Sequence, residues 1–249
     1  MDRFKRVEQL IGAHHLQKLR AATVAVFGLG AVGSFALEAL ARSGIGRFIL
    51  VDFDEVRTSN FNRQLFAVES SKGRLKAHVA QDRVLAVNPA AQVRALTEFA
   101  DKASIQNMLS IKPDVVIDAI DSLKPKTELI EYCMTNRIPI VSSMGAGDKT
   151  DPFLIRVGDL SETEHCPLAR RVRKRLRRAG IEEGVRCVYS PEIPHRSHAA
   201  AEEEFYKRGR ERVSVGTICY MTGMFGLYTA YEALRILAGG KVGARKQSA

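Results

Sequence analysis

The stretch from Thr23 to Gln64 constrains the fold of this chain more than any other. Thr23-Val24-Ala25-Val26-Phe27 is a short apolar run suited to a buried parallel strand. It leads straight into Gly28-Leu29-Gly30-Ala31-Val32-Gly33, and an Ala/Leu-rich helical pattern follows. The three glycines have separate tasks: Gly28 permits a tight turn, Gly30 lets an anion approach bare backbone, and Gly33 lets the helix pack close. Free amides and the positive end of the helix dipole then face that anion. A second apolar run, Arg47 to Asp52, ends in a carboxylate about 20 residues downstream, where an acid reaches ribose hydroxyls. A strand before, a helix after and an acid at the next strand's end together make a nucleotide-binding βαβ unit.

The residues after Asp52 bear on which nucleotide is bound. A redox dinucleotide needs Asp52 alone. Here the chain adds Asp54, then Asn60, Asn62, Arg63 and Gln64, then Lys76, and later Asp118, Ile120 and Asp121. Cations near a glycine turn suit a triphosphate, which carries more charge than a pyrophosphate. A carboxylate just past a fourth apolar strand, at Asp121, stands where open α/β sheets place ligand groups and could hold Mg²⁺ bridging phosphates. The set favours ATP over NAD. Taken singly, Lys76 on a helix and Arg6 near the start read as solvated charges; membership of the set lifts Lys76.

Apolar runs alternate with helical patterns through Ser142, which predicts an α/β fold with a doubly wound, Rossmann-like, mainly parallel sheet. Residues 1–22 form a short leading helix, 23–143 the nucleotide-binding core, and 144–249 an extension within one domain. In the extension, Asp151–Leu160 reads as an antiparallel strand and Gly184–Ser190 as another. Pro191–Val213 reads as a loop, and the run from Ser214 to Leu237 as a buried core or dimer-interface helix, with a frayed tail after it. That run falls short of a membrane span and carries internal glycines.

Arg170, Arg171, Arg173, Lys174, Arg175, Arg177 and Arg178 crowd one segment, while Leu168, Val172 and Leu176 keep a narrow apolar seam. With a formal net charge of +10 over 249 residues, this face reads either as a solvated helix or as a surface for nucleic-acid phosphates. Four cysteines without a CxxC pair indicate neither a disulfide framework nor a zinc site, and no apolar leader opens the chain. A reduced, cytoplasmic setting is expected.

The combination GxGxxG…DxD…NRQ…K…DxxD resembles the ubiquitin-activating-enzyme superfamily from Arg3 to about Leu237. Within it, VVIDAIDSLKPK, MGAGDKTDP, PLARRVRKRLRR and GVRCVYS are similar to the tRNA threonylcarbamoyladenosine dehydratase branch. The resemblance implies an ATP-dependent enzyme that activates the threonyl carboxylate of N6-threonylcarbamoyladenosine beside the tRNA anticodon. The carbamoyl group closes on that carboxylate, and AMP and pyrophosphate are released. It assigns ATP to Gly28, Gly30, Ala31, Gly33, Asp52, Asp54, Asn60, Arg63, Gln64, Lys76, Asp118 and Ile120, and Mg²⁺ to Asp121. Catalysis falls to Arg63, Lys76, Asp121 and Arg6, the last reaching a neighbouring subunit's γ-phosphate, which implies a homodimer. An alkali-metal ion (Na⁺ or K⁺) is transferred only loosely to Gly145 and Gly147. Some dehydratases carry a cysteine where this chain has Val213 and Ser214, which weakens any expectation of a sulfur-transfer partner. Cys187 then reads as structural. The rival readings are an adenylyltransferase for a ubiquitin-like carrier's C-terminal glycine, disfavoured by the missing zinc pairs, and a non-catalytic nucleotide sensor.

Overall fold

Seven strands form one sheet in the order β3-β2-β1-β4-β5-β7-β6. They are β1 (Thr23–Phe27), β2 (Arg47–Val51), β3 (Gln92–Leu96), β4 (Val115–Asp118), β5 (Ile140–Ser143), β6 (Arg156–Asp159) and β7 (Arg186–Tyr189). All neighbours are parallel except β6, which runs antiparallel along β7 at the edge. The computed structural model describes residues 2–195, 203–206, 210–213 and 215–240.

Strand alternation sorts the core into two layers. Val24 and Val26 of β1 face α3 (Gly33–Arg42), α4 (Lys76–Val87) and α8 (Cys219–Leu237); Ala25 and Phe27 face α5 (Lys102–Met108), α6 (Leu123–Thr135) and α7 (Pro167–Arg178). Both faces are covered, which is why the strands read as unbroken apolar runs. The chain builds outward from β1 through β2 to β3, then returns to β1's other side with β4. That reversal opens a crevice beyond the carboxyl ends of β1 and β4.

The apolar C-terminal run is a core helix. A Cβ on Gly226 would fall 2.4 Å from the Val32 carbonyl oxygen, and Gly223 lies against the Phe35 ring. The internal glycines of α8 therefore let it press onto α3. Buried Glu232 of α8 accepts from Arg235 (2.7 Å) and from Arg186 of β7 (2.8 Å). Burial pushes this carboxyl up, but the two guanidinium groups outweigh burial and hold it below the ordinary range. Among the described residues no helix is long and apolar enough to cross a membrane.

Two expectations change. The leading segment is two helices, α1 (Lys5–Ile11) and α2 (Ala13–Ala21), because Gly12 turns at φ 85° between them. The segment expected as a loop contains an antiparallel hairpin, β8 (Glu203–Tyr206) with β9 (Arg210–Val213), whose charged sequences carry no apolar alternation to signal it. Residues 196–202, 207–209 and 214 of that region, and 241–249 of the tail, lie outside the described residues.

Candidate active site

The glycine turn sits at the carboxyl end of β1, against the exit of β4. Gly28 has φ 85°, and a Cβ there would stand 2.7 Å from the Ala119 carbonyl oxygen. A Cβ on Gly33 would meet the Gly28 carbonyl oxygen at 1.8 Å. Both positions exclude a side chain for reasons internal to the protein. Gly30 is different: the nearest atom to its hypothetical Cβ is Gln64 Nε2 at 3.7 Å. Nothing crowds its bare backbone more closely than ordinary van der Waals contact, as a turn that admits a phosphate requires.

Asp52, just past β2, ties the turn to the strand ends. Its two oxygens accept the amides of Leu29 (2.7 Å) and Asp54 (2.9 Å). Burial pushes its carboxyl above the usual range, with nearby Lys76 and these two amides opposing the shift. Lys76 opens α4 and is 8% exposed; its Nζ lies 3.3 Å from Asp54 Oδ2. The segment between them is equally fixed. Buried Asn60 caps a short 3₁₀ turn by accepting the Arg57 amide at 3.0 Å. Arg63 Nη1 donates to Ser59 O (2.7 Å) and Asn62 Oδ1 (2.8 Å), and Ser34 Oγ of α3 accepts the Leu65 amide. Half-buried Ala31 belongs to the same turn, and half-buried Ile120 and exposed Asp121 lie on the loop leaving β4.

Asp118 departs from expectation. It is fully buried, and neither oxygen is open to a ligand. Oδ1 accepts the Ile120 amide (3.0 Å), while Oδ2 accepts Lys126 Nζ (2.7 Å) and Ser142 Oγ (2.5 Å). It shapes the loop from within and does not offer a contact to nucleotide. Lys126 and Ser142 were missed in the sequence. The available signal was Lys126 itself, in helical register with Ile130 and Cys133 on the buried stripe of α6.

Arg6 projects from α1, exposed. Its neighbour Phe4 packs on Gly44, and Arg3 Nη1 donates to Val87 O. Both contacts lie at the amino ends of β2 and β3, the sheet edge opposite the glycine turn. The segment that carries Arg6 is thus anchored away from the glycine turn of its own chain.

On α7, Arg170, Arg171, Lys174, Arg175, Arg177 and Arg178 are exposed, while Ala169, Val172 and Leu176 are buried. Arg173 is the exception: its Nη1 is hydrogen bonded to Thr163 O (2.6 Å) and to Thr163 Oγ1. It holds the segment preceding α7 and does not share the exposed cationic face.

Burial pushes the thiols of Cys133 and Cys187 up to about 12, so neither supplies a thiolate. No group of three or more carboxylate, imidazole or thiol ligands gathers among the described residues. Beside the Gly145–Gly147 loop, buried Lys149 Nζ already donates to the Ser190 and Glu192 carbonyls, and burial lowers its pKa. A Cβ on Gly147 would lie 2.5 Å from Val215 Cγ1.

Comparison with known proteins follows the same lines. Residues 4–248 match the ThiF family. The chain is 43% identical over 194 residues to the tRNA threonylcarbamoyladenosine dehydratase of Bacillus subtilis (strain 168), covering 78% of this chain and 76% of that protein. To the Escherichia coli (strain K12) protein of the same name it is 36% identical, over 94% and 92% of the two chains. The crystal structure of E. coli tRNA N6-threonylcarbamoyladenosine dehydratase, TcdA, in complex with AMP superposes with a TM-score of 0.88, covering 97% of this chain and 96% of that one at 35% identity. The E. coli protein has also been crystallised with ATP.

Proposed function

The chain belongs to the ThiF family, and on that premise we propose that it is an ATP-dependent tRNA threonylcarbamoyladenosine dehydratase. It activates the threonyl carboxylate of N6-threonylcarbamoyladenosine in tRNA and cyclises it. The observation that carries this reading is the glycine turn, where a Cβ on Gly30 would meet only Gln64 and where Asp52, with Lys76 nearby, holds the Leu29 amide, in a chain similar to dehydratases over most of its length.

A carboxylate is a poor electrophile. Its attack on the α-phosphorus of ATP expels pyrophosphate and leaves an acyl adenylate. The carbamoyl group then attacks the acyl carbon, AMP leaves with the former carboxylate oxygen, and the nucleoside has lost one water. Asp52 orients the ribose, and the amides of the Gly28–Gly33 turn face the phosphates. Lys76 and Arg63 offset charge on the departing pyrophosphate, and Arg6 of a second copy adds to them, which makes the working unit a homodimer. The position of α1 at the opposite sheet edge supports a role across subunits. Asp121 suits Mg²⁺, because that ion takes one or two carboxylates and draws its other ligands from phosphates and water. Mg²⁺ supplies further charge compensation on the phosphates when bound. No step is assigned to Na⁺ or K⁺. The six exposed cations of α7 hold the tRNA backbone, and the setting is the cytoplasm.

The test is incubation with ATP and tRNA carrying the modified adenosine, followed by nucleoside mass spectrometry. The expected product is lighter by one water, with one AMP formed per conversion. Turnover with ubiquitin-like carrier proteins and none with tRNA would replace this reading with the carrier adenylyltransferase.

A further inference from the structure

Lys126 and Asp118 form a fully buried ion pair directly beneath the loop that leaves β4. A buried pair of this kind adds little net stability, because desolvation of both groups offsets their attraction. Its geometry indicates another use. Asp118 pairs with Phe27 of β1 and Ser142 of β5 in the sheet, at the topological reversal. Lys126 and Ser142 both grip Oδ2, which leaves Oδ1 aimed at the Ile120 amide. The Ala119 amide donates to Phe27 O at 2.8 Å, and the Ala119 carbonyl abuts Gly28. The loop carrying Ile120 and Asp121 is thus set against the glycine turn by the Ala119 backbone, and its next residue is fixed by one carboxylate oxygen of Asp118.

We propose that Lys126 is a positioning residue for adenylation: with Ser142, it holds Asp118 so that Oδ1 fixes the Ile120–Asp121 loop relative to the phosphates. This rests on the ATP reading above. Lys126 touches no substrate in this scheme. What the loop requires is an acceptor at position 118, and what the acceptor requires is a partner that stops it turning away.

Three variants separate positioning from bulk stability. Lys126→Met leaves a buried carboxylate without its cation and should lose both thermal stability and turnover. Asp118→Val with Lys126→Met removes both charges and should recover stability, since an apolar replacement of a buried pair is often neutral. It also removes the acceptor for Ile120, so kcat should remain low on the order of a hundredfold, the scale set by misplacing a reacting group by about 1 Å. Asp118→Asn with Lys126→Met offers Ile120 a neutral acceptor held by Ser142 alone, so melting temperature should recover while kcat stays at least about tenfold below wild type; wild-type kcat in this variant would show Lys126 to be dispensable and overturn the proposal. Melting temperature, ATP affinity by calorimetry without tRNA, and kcat with tRNA are measured on each. Exchange of the Ile120 amide with solvent should quicken in both double variants, and most in the valine one. Turnover that merely tracks melting temperature, or a valine double variant with wild-type kcat and Ile120 exchange, overturns the proposal. Failure of the wild-type chain to act on tRNA overturns the functional reading instead; calorimetry and amide exchange still decide the role of Lys126.

Discussion

Lys76 and Asp54 are held to each other twice: Nζ of the lysine lies 3.3 Å from the carboxylate, and its amide donates to the Asp54 carbonyl at 2.9 Å. The backbone bond survives truncation of the side chain, so Lys76→Ala should keep the start of α4 in place. Its turnover should fall on the order of 10²–10³-fold, the cost of removing one preorganised charge from a developing anion. Pyrophosphate release measured beside the circular dichroism spectrum checks both halves.

The glycine turn makes a sharper distinction. Gly33→Ala drives a Cβ to 1.8 Å from a carbonyl oxygen, whereas Gly30→Ala meets nothing nearer than Gln64 Nε2 at 3.7 Å. The first variant should fail to accumulate as folded protein. The second should fold with a near-native melting temperature and bind ATP about tenfold or more weakly, a difference of roughly 1.4 kcal/mol. Equal ATP affinity in Gly30→Ala would mean that no phosphate reaches that backbone.

Position along α7 decides what each arginine does. Reversing Arg170 and Arg171 to glutamate should weaken tRNA binding and flatten its salt dependence, by about one unit of log–log slope per lost phosphate contact. Arg173→Ala should instead lower the melting temperature and leave that slope unchanged, because its guanidinium is committed to Thr163. Titrations at several salt concentrations distinguish the two outcomes.

Glu232 predicts a pH dependence of stability. Its folded pKa lies below the ordinary value, so the native state favours the ionised form. The stability it contributes is fully present above the ordinary carboxylate pKa, about 4.3 for glutamate, and is lost as pH falls through the depressed folded value. Glu232→Gln should therefore melt earlier at pH 7, with the gap to wild type closing under acid. Melting curves across the acid range measure it.

Arg6 offers a test of subunit sharing. Arg6→Ala and Lys76→Ala chains, each inactive alone, should recover part of the activity when mixed and allowed to exchange, because one site of each mixed dimer is then intact. No recovery after demonstrated exchange would confine catalysis to a single chain.

The sheet was legible because its central strands are buried on both faces and carry uninterrupted apolar runs such as Thr23–Phe27 and Val115–Ile117. The glycine turn was legible because its spacing reflects hard steric limits, which the contacts of Gly28 and Gly33 bear out. Other features escaped for a physical reason. Asp118 looks like Asp121 in sequence, and only the partners Lys126 and Ser142, 8 and 24 positions away, show that one carboxylate faces inward. Arg173 differs from Arg171 only by where the helix turns it. The break at Gly12 depends on one positive φ within a segment whose composition is helical throughout.

The seating of α8 on α3 has a consequence for biosynthesis. The start of α3 around Val32, Phe35 and Ala36 is covered by α8 at Gly223 and Gly226, nearly 200 positions later in the chain. A nascent polypeptide therefore emerges from the ribosome with the first Rossmann unit bared on one side, and a transcript cut short before this last helix yields a sticky fragment in place of a smaller enzyme.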